Sequence, residues 1–171
     1  MTSRDANLLG ALTTTLADRL FAAMAEEVGV SGVAASVLVL IDAEQDITIE
    51  QLARVLGVAQ PSMTRAVTVL ESSGFIAKEP AVDKRSRVLR LTDAGQAMLV
   101  RMLSRRAALL EEAISAVAPE DAPVLSRALA AMLEAMPKRS DDRFRICRLC
   151  DEAACGPRAN CPVERGSDKL G

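Results

Sequence analysis

The sequence predicts a mainly α-helical fold with one small β-hairpin, and three observations carry that expectation. Apolar residues recur at helical spacing over long stretches towards both ends of the chain. Two short segments between them carry helix-capping residues. A single stretch, Phe75 to Thr92, changes to extended, alternating segments. Half of the 171 residues are hydrophobic, enough to bury a sizeable core in one domain or two small ones.

Taken in order, Leu8, Leu9, Leu12, Leu16, Leu20, Phe21, Met24 and Val28 predict a long amphipathic helix over about residues 5–28, stopped by Gly29. Gly32 to Ile41 is apolar nearly all round and fits a buried helix or a buried strand; its helical surroundings favour helix. As the longest apolar stretch, it is too short to cross a bilayer. Thr48 and Gln51 have capping-box spacing and Gly57 stands where a C-cap belongs, so a short helix is expected between them. Pro61 suits the first turn of the next helix, whose buried stripe is Met63, Ala66, Val67 and Leu70, ending at Gly74. Two short helices joined by a tight turn make a helix-turn-helix. "FIAKEP" and "RVLRLT" then form a two-stranded hairpin around the charged tip "AVDKRSR". Thr92 caps a long helix that runs to Ala118, where Pro119 breaks it, and Val124 to Met136 mark a last helix closed by Pro137. A polar tail follows.

Charge is unevenly placed. Between Ile47 and Thr92 seven basic residues face four acidic ones, a local charge of +3, which leaves −5 for the rest of a chain whose total is −2. A basic helix-turn-helix and hairpin on an acidic protein is the footprint expected of a nucleic-acid binder, because phosphate neutralisation is local. No basic-then-apolar leader is evident, and a cytoplasmic location is expected. With no histidine or tyrosine, and no Gly-rich phosphate loop, catalysis is not expected.

The stretch "TIEQLARVLGVAQPSMTRAVTVLESSGFIAKEPAVDKRSRVLRLTDAGQAML" resembles the winged helix-turn-helix core of the MarR family of bacterial transcription regulators. Asp83, Arg85, Leu91, Thr92 and Gly95 reproduce the family's wing pattern, and "QPSMTR" is similar to the recognition-helix start of the SlyA-type branch. The resemblance implies a triangular homodimer that binds double-stranded DNA at a pseudo-palindromic operator, most often as a repressor. It divides the chain into an N-terminal dimerisation helix (1–30), a winged helix-turn-helix (31–93), C-terminal dimerisation helices (94–136) and a cysteine-rich tail (137–171). Family DNA contacts carry over to Gln60, Pro61, Ser62, Thr64, Arg65 and Thr68 on the recognition helix, with Ser62 and Arg65 foremost. At the wing, Arg85 matches the arginine inserted into the minor groove and Asp83 the acid that orients it, while Lys84 and Arg87 suit phosphates.

The tail departs from the family pattern. All four cysteines of the chain, Cys147, Cys150, Cys155 and Cys161, lie there in the spacing C-x2-C-x4-C-x5-C, with Pro162 after the last. Clustered cysteines in a reducing compartment bind metal or do redox chemistry more often than they form disulfides. Without histidine, a tetrahedral site must be all-thiolate, which suits zinc or an iron-sulfur cluster. Only the first two cysteines make a zinc-like pair. The compact spacing is similar to the [2Fe-2S] loop of SoxR-type redox regulators, C-x2-C-x-C-x5-C, and differs from it in the second gap. An iron-sulfur cluster is therefore expected, [2Fe-2S] before [4Fe-4S], with zinc as the alternative. Phe144, Ile146, Leu149 and Val163 could cover such a site or dock on the rest of the protein.

Overall fold

The computed structural model describes residues 3–28, 32–44, 46–81 and 86–170. Helix α1 (Arg4–Val28) leads into α2 (Gly32–Ala43), and α3 (Ile49–Leu56) and α4 (Gln60–Ser72) form the helix-turn-helix. Strands β1 (Ile76–Pro80) and β2 (Arg87–Leu91) pair antiparallel, with Ile76 opposite Leu91 and Pro80 opposite Arg87. Then come α5 (Asp93–Ile114), α6 (Ala122–Glu134) and three short tail helices: α7 (Arg143–Ile146), α8 (Glu152–Cys155) and α9 (Pro162–Asp168). Gly29 and the wing-tip residues Asp83, Lys84 and Arg85 lie outside the described residues.

Local chemistry accounts for the central elements. The Thr48 hydroxyl accepts from the Gln51 backbone N–H while the Gln51 side chain accepts from the Thr48 N–H, a complete capping box. Gly57 ends α3 in the left-handed region at φ 65°. The hydroxyl of Thr92 accepts from Gly95 N–H at the start of α5 and donates to the Gly74 carbonyl, which fastens α5 to the end of α4. A Cβ on Gly95 would stand 1.9 Å from the Phe75 carbonyl oxygen, so only glycine fits where α5 crosses the base of the hairpin.

The ambiguous segment after residue 31 is helix. From Ala34 to Ile41 every residue of α2 is buried, and Leu52, Met63, Val67, Leu70, Leu89, Leu99 and Met102 join it in one core. Leu89 N–H also donates to the Ile47 carbonyl, tying the hairpin to the segment before α3. Both long C-terminal helices stop short of expectation: α5 at Ile114 rather than Ala118, and α6 at Glu134 rather than Met136. Pro119 and Pro137 disfavour helix in the residues before them, and tight turns close both ends.

Helix α1, over Arg4–Glu26, is long and apolar enough by length and composition to cross a membrane, although polar residues interrupt its apolar runs. It packs along α5 and α2. Ala23 and Met24 are buried, and Arg19 pairs with Glu112 of α5 at 3.2 Å. Leu8, Leu9 and Leu12 of α1 stay exposed, as do Val124, Leu129 and Met132 of α6, which has no buried residue at all.

Candidate functional site

On α4 the sequence divides cleanly between two faces. Met63, Val67 and Leu70 point into the core, and Gln60, Pro61, Ser62, Thr64, Arg65 and Thr68 are all exposed on the other side. Pro61 sits in the first turn, where its missing N–H costs nothing. The Thr68 hydroxyl donates to the Thr64 carbonyl at 2.9 Å, which leaves Gln60, Ser62, Thr64 and Arg65 as the face's more available polar side chains. Arg65 makes no ion pair among the described residues.

The basic surface is smaller than a count of residues suggests. Lys78 pairs with Glu71 at 2.5 Å, and Arg90 pairs with Asp46 and lies 3.9 Å from Glu79. Both charges are neutralised within the fold. Arg65 on α4 and Arg87 on β2 project outward, as does Arg54 on α3. Asp83, Lys84 and Arg85, the remaining wing residues expected to touch DNA, belong to the undescribed tip.

The tail is not a polar appendage. Each cysteine stands at an element boundary: Cys147 ends α7, Cys150 closes the following turn with its N–H on the Cys147 carbonyl, Cys155 ends α8, and Cys161 precedes α9. The Asp151 carboxylate accepts from the N–H groups of Ala153 and Ala154, which starts α8, and Gly156 turns the chain at φ 80°. All four thiols thereby line a cavity of about 50 Å³ between the tail and the end of α2, and also a neighbouring cleft of about 270 Å³.

The thiols interact with one another. Cys150 and Cys155 Sγ atoms are 3.9 Å apart, close to the roughly 3.8 Å that two sulfurs keep on one tetrahedral zinc with 2.3 Å bonds. Hydrogen bonding from Cys147 holds the Cys150 thiol down to about 6, while that same contact, together with burial, pushes Cys147 up. Burial, then the charge of Cys150, pushes Cys155 up to about 11. Crowded thiols thus resist losing several protons together, and a cation between them relieves that repulsion. The donor set fits an all-thiolate centre. Among the described residues, however, no three Cys, Asp or Glu side chains are drawn close enough to ligate one ion as they stand.

Anchors for the tail lie far away in sequence. Arg143 reaches Glu44 at the end of α2 at 2.9 Å and Glu164 of α9 at 3.3 Å, and Arg158 also reaches Glu44, at 3.2 Å. Phe144 and Leu149 pack on the main core, and the Arg143 guanidinium stacks 4.0 Å from the Phe144 ring. The guanidinium of Arg145 lies over Gly57, in the turn of the helix-turn-helix. At the other end Val163 is 2% exposed, and a Cβ on Gly166 would fall 2.2 Å from the Glu134 carbonyl oxygen of α6. Arg165 and Lys169 both pair with the Glu134 carboxylate, at 2.9 and 2.6 Å. Of the four apolar residues noted in the tail, Phe144 and Leu149 therefore dock on the core, while Ile146 and Val163 face the cleft beside the thiols. The anchoring pairs had no sequence signal, since Glu44 and Arg143 are 99 residues apart.

Residues 28–86 match the model of the MarR family. The fold agrees. YusO from Bacillus subtilis is 21% identical with a TM-score of 0.67, over 78% of this chain and 99% of that one. Wild-type MarR from E. coli is 22% identical with a TM-score of 0.60, over 75% and 97%. A mutant of MepR from Staphylococcus aureus bound to an oligodeoxyribonucleotide is 15% identical with a TM-score of 0.61, over 80% and 100%. The fold is therefore that of the winged helix-turn-helix structures of MarR regulators. Among curated proteins none matches the chain significantly. These MarR-like structures leave about a fifth of the chain uncovered, a share comparable to the length of the tail 137–171.

A third cavity, of about 370 Å³, lies between α1, α2 and the turn after α3. Phe21, Val33, Leu56 and Val58 line it together with Gly32, Ser36 and Arg148.

Proposed function

We propose that the chain is a dimeric, cytoplasmic, DNA-binding transcription regulator of the MarR type, acting as a repressor, whose operator binding responds to an iron-sulfur centre held by Cys147, Cys150, Cys155 and Cys161. One observation carries this reading: the segment bearing all four thiols is anchored at once to α6 and to the helix-turn-helix, through Glu134 at one end and Glu44, Phe144 and Arg145 at the other. A change in the order of the tail would act on α3, on which α7 packs, and on α6, on which α9 packs. When bound, a [2Fe-2S] centre supplies a one-electron couple at the four cysteines.

The chain's own residues supply the rest. The exposed face of α4 suits a major groove, with Arg65 able to reach a guanine edge or a phosphate. MepR bound to an oligodeoxyribonucleotide shares the fold and supports a DNA partner. The leucines exposed on α1 and the apolar residues exposed on α6 suit burial against a second copy, which would place two α4 helices for two half-sites.

The decisive experiment is anaerobic purification with a visible spectrum and iron, sulfide and zinc analysis, followed by operator binding before and after oxidation. Bands beyond the protein's own absorption, iron matched by sulfide, and an affinity that changes on oxidation are expected. Equal affinity of holo and cluster-free protein for the operator sinks the sensor. A second reading has its own support in the Cys150–Cys155 separation and the cavity beside Phe21: a small-ligand-responsive repressor whose tail is braced by zinc. Colourless protein with one zinc per chain would favour it.

A further inference from the structure

Around the thiols most cations are already paired. Arg143 is shared by Glu44 and Glu164, Arg158 by Glu44 and Glu152, and Arg165 is held by Glu134. Arg148 turns its guanidinium onto the Arg145 carbonyl at 2.7 Å. Arg106 differs. It projects from α5, is half-buried, and lines the same cleft as all four cysteines, with no carboxylate partner among the described residues. A half-buried guanidinium lacking an acidic partner is costly unless an anion faces it. Four thiolates around a divalent metal carry a net charge of −2, and a [2Fe-2S] core on four thiolates is likewise anionic, so either centre would present that anion.

Resting on the reading of the four cysteines as a metal centre, we infer that Arg106 is the counter-cation of that centre, a positioning residue that holds the anionic four-thiolate group against α5. The same helix begins at Thr92 and Gly95, at the base of the hairpin. The charge of the centre is therefore felt by the helix that carries the wing, as well as by the tail that supplies the ligands.

The test is a cobalt(II) titration of the reduced full-length chain, with affinity taken from chelator competition and thiolate-to-cobalt charge-transfer absorption as the signal. R106Q is expected to weaken cobalt binding roughly 10–100-fold, the range found when partners of metal ligands are removed. R106K restores most of the loss, R105Q on the exposed face leaves affinity unchanged, and added salt weakens the wild type more than R106Q. Wild-type affinity in a folded R106Q overturns the role of Arg106 and leaves the metal centre standing. A loss that R106K does not rescue, accompanied by reduced helicity or dimer dissociation, also overturns it, in favour of a purely structural arginine. Wild-type protein without a thiolate-to-cobalt band overturns the metal centre itself, and this inference with it.

Discussion

Truncating Val163 to alanine tests whether the tail is a separately docked part. Val163 opens α9, is 2% exposed, and lines the cleft beside Cys161, yet it does not belong to the main core around α2. The change removes two carbons from a buried site at about 0.8 kcal/mol each, about 1.6 kcal/mol in all before any cavity term. The other ties of α9 to α6 are the ion pairs to Glu134, which are solvated and weak, and the close seat of Gly166. The loss therefore falls on docking of the tail and shifts its opening equilibrium about fifteen-fold. Alkylation of the four cysteines in reduced, metal-free protein, followed by mass spectrometry, should quicken by that factor. The urea midpoint of the helical core should hardly move. Unchanged alkylation, or a core transition that shifts by the full amount, refutes a separately docked tail.

Other predictions follow from the same contacts. Arg65→Ala should cost about 1–3 kcal/mol of operator affinity while leaving the melting curve unchanged; fluorescence anisotropy with labelled operator reads the first and circular dichroism the second. Gly95→Ala forces a Cβ into the Phe75 carbonyl and should destabilise the winged domain by roughly 3 kcal/mol, visible as a lower urea midpoint at unchanged slope. Hydrogen bonds from Lys169 and then Arg165 hold the Glu134 carboxyl below its ordinary value of 4.5, so its contribution to docking is present above that value and is lost as the pH falls through the lower folded value. Tail alkylation measured down a pH series, with rates corrected for thiol ionisation, should show opening on acidification in the wild type and a flatter response in Glu134→Gln.

Local signals made the helix-turn-helix legible in advance. Thr48 with Gln51, Gly57, Pro61, and Thr92 with Gly95 each act within a few residues, and each occupies the role its spacing implies. The two faces of α4 were readable for the same reason, because burial of Met63, Val67 and Leu70 leaves Gln60, Ser62 and Arg65 outside. Gly32 to Ile41 was harder. A stretch buried on every side has no periodicity from which to choose helix or strand. The local charge count left out Asp46, which lies just before the counted stretch and pairs with Arg90.

What the sequence determined by itself is whatever depends on near neighbours: the helices and their caps, the hairpin, the two faces of α4, and the concentration of every thiol in one short segment. Only the tertiary structure decided where that segment sits. Glu44 meeting Arg143 and Arg158, Glu134 meeting Arg165 and Lys169, and Arg106 facing the cysteines are encounters between residues about thirty to more than a hundred positions apart. No local propensity encodes them. They arise because α1, α2 and α5 pack together, and burying Phe144 and Leu149 against that core while α9 packs on α6 brings the thiols to the end of α2.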